Sequence, residues 1–154
     1  MVVLTIDDDS KLCRPIFTEI FGKPTWKWTH FEDIDQAWAH IERAYLSRSA
    51  RPHLIILDVQ LQDQEEAGLV LLRRLQRLDS YPPVVMLSVS RAKPIILSSY
   101  KSGARVFVTK PATRGSLKGV VESIAAVWQE AYNFDVSGKA LRRKGTLRKA
   151  LSKS

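Results

Sequence analysis

The sequence predicts an α/β protein, a doubly wound five-stranded parallel sheet with five helices. Two patterns carry that expectation. Short apolar runs alternate with segments of helical period from residue 1 to about 132. Four of those runs also stop abruptly at a polar, chemically competent residue. Strands of a parallel sheet all end along one edge, where open α/β sheets place their sites.

The elements follow in order. Val2–Ile6 is apolar throughout, as a strand covered on both faces should be. A helix over 10–22 comes next, with Ser10 as its N-cap. Pro15 requires that helix to start late, because an interior proline costs about 3 kcal/mol. Thr25-Trp26-Lys27-Trp28-Thr29-His30 alternates its aromatics, which suits a strand nearer the sheet edge. A helix over 33–48 is capped by Asp33. Leu54–Leu57, Pro83–Leu87 and Arg105–Thr109 supply three more doubly covered strands, separated by helices over 66–79 and 93–102. The last helix, 115–132, repeats Leu117, Val120, Val121, Ile124, Val127 and Trp128 at three- and four-residue spacing, with Ser116 or a neighbour as cap. Such an alternation needs right-handed crossovers. Lys110-Pro111 is a candidate for a cis peptide bond.

Composition narrows the class. The 154 residues suit one domain with a sizeable core, and 45% hydrophobic with 26% charged content is that of a soluble globular protein. The single cysteine, Cys13, forms no internal disulfide and gives no sign of an oxidising compartment. Met1 leads straight into Val2-Val3-Leu4, which argues against a signal peptide or membrane span and for a cytoplasmic chain. The net charge of +8 is unevenly placed: seven of the 24 basic residues and one of the 16 acids lie from Asn133 onward. The sequence therefore divides into a nearly neutral domain, 1–132, and a basic extension, 133–154, expected to be solvated and largely flexible. That extension lacks the interleaved aromatics that stack on bases, which weighs against nucleic-acid binding.

The four polar strand ends are Ile6-Asp7-Asp8-Asp9, Leu57-Asp58, Leu87-Ser88 and Thr109-Lys110-Pro111. Carboxylates crowded at the first and third strand ends repel one another and call for a cation. An oxygen-only set favours Mg²⁺. A carboxylate at the centre of such a site can act as nucleophile and form an acyl phosphate. Asp58, on the middle strand, is the candidate. Lys110 is placed to pair with a phosphoryl oxygen, and Ser88 to donate to another. Each residue alone has a plainer reading as a turn, cap or solvated charge. Their order along the chain carries the inference.

Four segments, Leu4-Thr-Ile-Asp-Asp-Asp9, Pro52-His-Leu-Ile-Ile-Leu-Asp58, Pro83-Val-Val-Met-Leu-Ser88 and Ser102-Gly-Ala-Arg-Val-Phe-Val-Thr-Lys-Pro111, resemble the receiver domain of two-component response regulators. The resemblance covers residues 1 to about 132 and implies the flavodoxin-like receiver fold. It makes Asp58 the phosphoacceptor and Asp7 and Asp8 the metal-side acids, Asp8 being the direct ligand. It further implies that Gln60 lends a backbone carbonyl to Mg²⁺, that Ser88 is the switch hydroxyl, that Lys110 binds phosphate, and that Phe107 is the aromatic switch. Val121–Tyr132 is similar to the last helix of small stand-alone regulators paired with bacterial phytochromes. That likeness implies a sensor histidine kinase of phytochrome type as partner and a homodimer built through the C-terminal helix region.

The expected function is a single-domain response regulator that accepts a phosphoryl group on Asp58 and signals through changed protein contacts. No turnover of substrate is expected beyond self-phosphorylation and slow autodephosphorylation. The 22 residues after 132 are too few for a winged helix. Two alternatives stand beside this. A haloacid-dehalogenase-type phosphatase could use Asp7-x-Asp9, but it needs a late acidic pair that the sequence does not place at a strand end. A phosphate-independent binding module is opposed by the intact Asp58, Ser88 and Lys110. The sequence also departs from the family. Its loop from Val59 to Gly68 is about two residues longer than usual and lacks the proline, and Ala112 stands where a large apolar residue is common.

Overall fold

The computed structural model describes residues 1–151, with side-chain surroundings through Phe134. The elements are β1 (Val2–Ile6), α1 (Cys13–Phe21), β2 (Lys27–Phe31), α2 (Ile34–Leu46), β3 (Leu54–Leu57), α3 (Ala67–Leu75), β4 (Val84–Ser88), α4 (Lys93–Lys101), β5 (Val106–Thr109) and α5 (Arg114–Leu151). All strand pairs are parallel, in the order β2-β1-β3-β4-β5. The chain steps outward from β1 to β2, then crosses back to β3 on the other side of β1. That reversal opens a crevice at the carboxyl ends of β1 and β3.

Side-chain alternation divides the core in two. Leu4, Ile6, Ile55, Leu57, Val84 and Met86 face α2 and α3, meeting Ile41, Leu69 and Leu72. Val3, Leu54, Ile56, Val85 and Leu87 face α1 and α5, meeting Ile16, Phe17, Leu117 and Val121. Full burial of each such side chain contributes about 1.5–3 kcal/mol. One polar residue is buried among them. Thr5 lies in the sheet interior, where its hydroxyl accepts from Trp28 Nε1 at 2.9 Å and pairs with His30 Nδ1 at 2.8 Å. These bonds satisfy a group that would otherwise cost about 1–3 kcal/mol.

Several local expectations are corrected. Asp9, not Ser10, serves the start of α1, its carboxylate accepting the amides of Lys11 (3.1 Å) and Leu12 (2.8 Å). The helix begins at Cys13, so Pro15 falls in its first turn and needs no kink. Asp33 caps α2 as the sequence predicts, accepting from Gln36 at 2.8 Å. At α5 the cap is Thr113, a neighbour of Ser116, whose amide donates to its hydroxyl at 3.2 Å. No cis peptide occurs among the described residues, so Lys110-Pro111 is trans.

The strand over Arg105–Thr109 is not covered on both faces. As the sheet's edge, β5 is only half-buried. The backbone of α5 continues to Leu151, past the end at 132 that periodicity marks. Its first turns are held to α1 by Glu19, which pairs with Arg114 at 3.5 Å and with Lys118. Among the described residues no helix is long and apolar enough to cross a membrane.

Candidate functional site

The register of the strands gathers the site. Asp58 N–H donates to Ile6 O at 2.9 Å, which sets Asp58 level with Asp7. Lys110 N–H donates to Ser88 O at 2.7 Å and does the same for the second pair. Four residues from distant parts of the chain thus reach one crevice: Asp7, Asp58, Ser88 and Lys110 are all buried. Asp8, beside them, is exposed.

Lys110 lies between two carboxylates. Its Nζ is 2.6 Å from Asp58 Oδ2 and 2.8 Å from Asp7 Oδ2. Asp58 Oδ2 accepts a hydrogen bond from it, whereas Asp7 Oδ2 shares only the ion pair and accepts no well-directed hydrogen bond. The outer oxygens are held by backbone amides: Asp9 N–H to Asp7 Oδ1 at 2.8 Å, and Gln60 N–H to Asp58 Oδ1 at 3.2 Å. Burial pushes the Asp58 carboxyl up from its ordinary value, with Lys110 opposing and Asp7 reinforcing. Burial works against the Lys110 ammonium, yet Asp7 and Asp58 outweigh it and hold the lysine protonated well above its ordinary range. The Cys13 thiol, buried beneath the site, is pushed up by burial and by Asp7.

Asp7, Asp8 and Asp58 each offer an oxygen within 4.8 Å of the others. Three carboxylates and one ammonium leave two negative charges in the crevice. A buried Asp7 oxygen without a hydrogen bond and an all-oxygen donor set fit a hard divalent cation rather than a soft one. None of His30, His40 or His53 joins this group. Asp9 is turned to the start of α1, so Asp7-x-Asp9 does not present a second acid to the crevice as a dehalogenase-type phosphatase would need.

Ser88 closes the crevice at the end of β4, and its Oγ accepts from Ser90 N–H at 3.3 Å. Phe107 lies on β5, half-buried against the α2–α3 core. Its amide donates to the Tyr100 hydroxyl of α4 at 3.1 Å. Asp7, Asp8, Asp58, Ser88 and Lys110 therefore meet at one crevice, the Gln60 amide rests on Asp58, and Phe107 lies farther back along β5, opposite Met86.

Other residues of the crevice were not singled out. Gly68 opens α3 so close to β3 that a Cβ there would stand 1.9 Å from the Asp58 carbonyl oxygen. Only glycine admits that approach. Gln62 reaches back from the long loop, its amide donating to Asp8 Oδ2 at 2.8 Å and its side chain to Asp33 Oδ2 at 3.0 Å. The extra loop length was the one visible signal for it.

Residues 3–122 match the family model of the response regulator receiver domain. The methanogenesis regulatory protein FilR1 of Methanothrix harundinacea is 30% identical over 133 residues, covering 83% of this chain and 28% of that protein. The chemotaxis protein CheY of Listeria monocytogenes is 25% identical over 111 residues, covering 72% and 87%. The chain spans 28%, 33% and 44% of the first three curated relatives. Among solved structures, the phosphorylated cyanobacterial phytochrome response regulator RcpA aligns with a TM-score of 0.74 at 23% identity, over 84% of this chain and 94% of that one. The Mn²⁺-bound response regulator Rcp1 aligns at 0.71 and 23%, over 82% and 93%. These structural likenesses speak for the fold. With most of its length matched by the family model, and with the fold to go with it, the chain belongs to the response regulator receiver domains of two-component signalling.

Proposed function

We propose that Asp58 accepts a phosphoryl group from the phosphohistidine of a sensor histidine kinase. The observation that carries this is the placement of Lys110 Nζ against both Asp58 and Asp7, with three carboxylates gathered beside it. An Asp58 oxygen attacks phosphorus, the P–N bond breaks, and its electron pair leaves with the imidazole. Burial makes the Asp58 carboxylate more basic than a solvated one, and so a better nucleophile. Lys110 pairs with a phosphoryl oxygen, and the Ser88 hydroxyl donates to another.

Asp7, Asp8 and Asp58, with the backbone carbonyl of Gln60, would hold Mg²⁺. Bound there, the ion would neutralise charge on the transferring phosphoryl oxygens. The new aspartyl phosphate adds roughly −1.5 to −2 charges to the crevice. Engagement of Ser88 draws Phe107 inward and shifts the surface formed by α4, β5 and α5. The Tyr100–Phe107 bond supports this reading, because it ties α4 to the strand that must move.

The output is a changed protein contact rather than turnover of a substrate. A kinase of phytochrome type fits the likeness to RcpA. Homodimerisation through the C-terminal helix region fits the exposed Val127 and Phe134 on α5. The residues of 133–154, basic in sequence, extend that region, and they lack the interleaved aromatics with which a nucleic-acid reader stacks on bases. The chain works in the cytoplasm.

Intact-mass spectrometry after incubation with acetyl phosphate and Mg²⁺, beside Asp58→Asn, tests the reading. One added phosphoryl group that vanishes in the variant and without Mg²⁺ is the expected result. Labelling that survives in Asp58→Asn would sink the assignment, and no labelling at all would favour a phosphate-independent module.

A further inference from the structure

Asp8 differs from its two neighbours in the trio. Lys110 reaches Asp7 and Asp58, but among the described residues Asp8 is in no ion pair. Its side chain is exposed and would sample several rotamers if nothing directed it. What directs it is the amide of Gln62, 54 positions along the chain, bonded to Asp8 Oδ2 at 2.8 Å.

Gln62 sits in a tight turn closed by reciprocal backbone bonds. Gln64 N–H donates to Leu61 O at 2.9 Å, and Leu61 N–H to Gln64 O at 3.2 Å. The two central residues, Gln62 and Asp63, both have positive φ, 51° and 61°. Neither is glycine, so the conformation costs energy and persists only because its surroundings impose it. Two anchors do so. Leu61 is completely buried in the core between the sheet and α2–α3. Gln62 Nε2 donates to Asp33 Oδ2 at 3.0 Å, while Asp33 Oδ1 caps α2 through Gln36. The turn is thus braced against two separate elements and presents one amide to one carboxylate.

We infer that Gln62 is a positioning residue for the divalent-cation site, acting through Asp8. The inference rests on the reading of Asp7, Asp8 and Asp58 as cation ligands. The Gln62 amide occupies one lone-pair direction of Asp8 Oδ2 and holds the carboxylate beside Asp7 and Asp58, the arrangement in which all three offer oxygens within 4.8 Å. The remaining lone pairs stay available to a cation. Asp7 Oδ2, buried and met by Lys110 as an ion pair but by no directed hydrogen bond, keeps lone pairs for that cation on the same side. The long loop after Asp58 is on this account the outer shell of the cation site. Outer-shell partners typically govern metal affinity by 10- to 100-fold.

Gln62→Ala removes the tie to Asp33 while keeping the amide. Gln62→Gly does the same but accepts positive φ without strain, which guards against a variant that fails to fold. Titration calorimetry with MgCl₂ on the full chain and both variants, beside thermal melts in EDTA, is the test. Both variants should bind Mg²⁺ about tenfold more weakly than the parent, with melting without metal little changed. Affinity for Gln62→Ala within about twofold of the parent overturns the inference and leaves the acceptor reading intact. Weakening in Gln62→Gly alone would assign the effect to backbone stiffness and overturn it as well. A parent chain that binds no Mg²⁺ would remove the cation reading, and this inference with it.

Discussion

At its carboxyl edge the sheet buries Asp7, Asp58 and Lys110 within 2.8 Å contacts, while at its amino edge none of the residues that lead into the strands is buried. Met1, His53, Pro83 and Arg105 immediately precede β1, β3, β4 and β5, and with Trp128 and Tyr132 they line an open cavity of about 480 Å³. The contacts there centre on the His53 ring, which meets the Tyr132 ring edge-on at 4.7 Å and accepts from Val2 N–H through Nδ1 at 2.9 Å. Arg105 is exposed. One end is therefore organised around charges held out of water, the other around rings and half-exposed side chains. Buried charge is a poor way to stabilise a fold, since desolvation offsets much of the attraction. The contrast teaches that the carboxyl edge is arranged for chemistry at some expense of stability, and the amino edge carries no such burden.

The largest effect should come from Lys110→Ala. It leaves two buried carboxylates facing each other without a cation, and should cost about 3–5 kcal/mol at neutral pH in urea unfolding without Mg²⁺. Labelling by acetyl phosphate should fall with it. A loss below about 1 kcal/mol would mean that water relieves the pair and would break the contrast.

Asp58→Asn should act in the opposite direction on stability. Burial raises the Asp58 pKa in the folded state above its unfolded value of about 4. The folded chain then holds a proton that the unfolded chain has lost, so this group's contribution declines as pH rises from about 4 through the folded pKa. Above that window the ionised carboxylate is a net cost. The variant, without labelling, should melt higher than the parent at pH 7 in EDTA, and its advantage should vanish towards pH 4. An equal or lower midpoint at pH 7 would show that Lys110 fully compensates the burial.

The smallest effect belongs to the amino edge. Tyr132→Ala removes the ring contact with His53 and should cost about 0.5–1.5 kcal/mol, with the labelling rate of Asp58 unchanged. Slower labelling would couple the two ends of the sheet and sharpen the picture into a longer-range one.

Much of this was legible from neighbouring residues. Val2–Ile6 and Leu54–Leu57 match the observed strands residue for residue, because an unbroken apolar run between polar flanks leaves the chain few other ways to bury it. The Asp33 cap was legible for the same local reason. Choices among near neighbours were harder: Asp9 outcompetes Ser10 for the amides opening α1 because the turn aims its carboxylate at them. The half-burial of β5 was hidden, since an apolar run reads alike at a sheet's centre and at its edge until strand order is known.

By itself the sequence determined the alternation of strands and helices and the polar residues that end the strands, since both are written within a few positions. Tertiary structure alone decided that Lys110 would stand between Asp7 and Asp58, that Gly68 would press against the Asp58 carbonyl, and that Gln62 would hold Asp8. The first and last of these join positions more than fifty apart. Contacts of that kind depend on strand order, register and loop path together, and no local pattern encodes them.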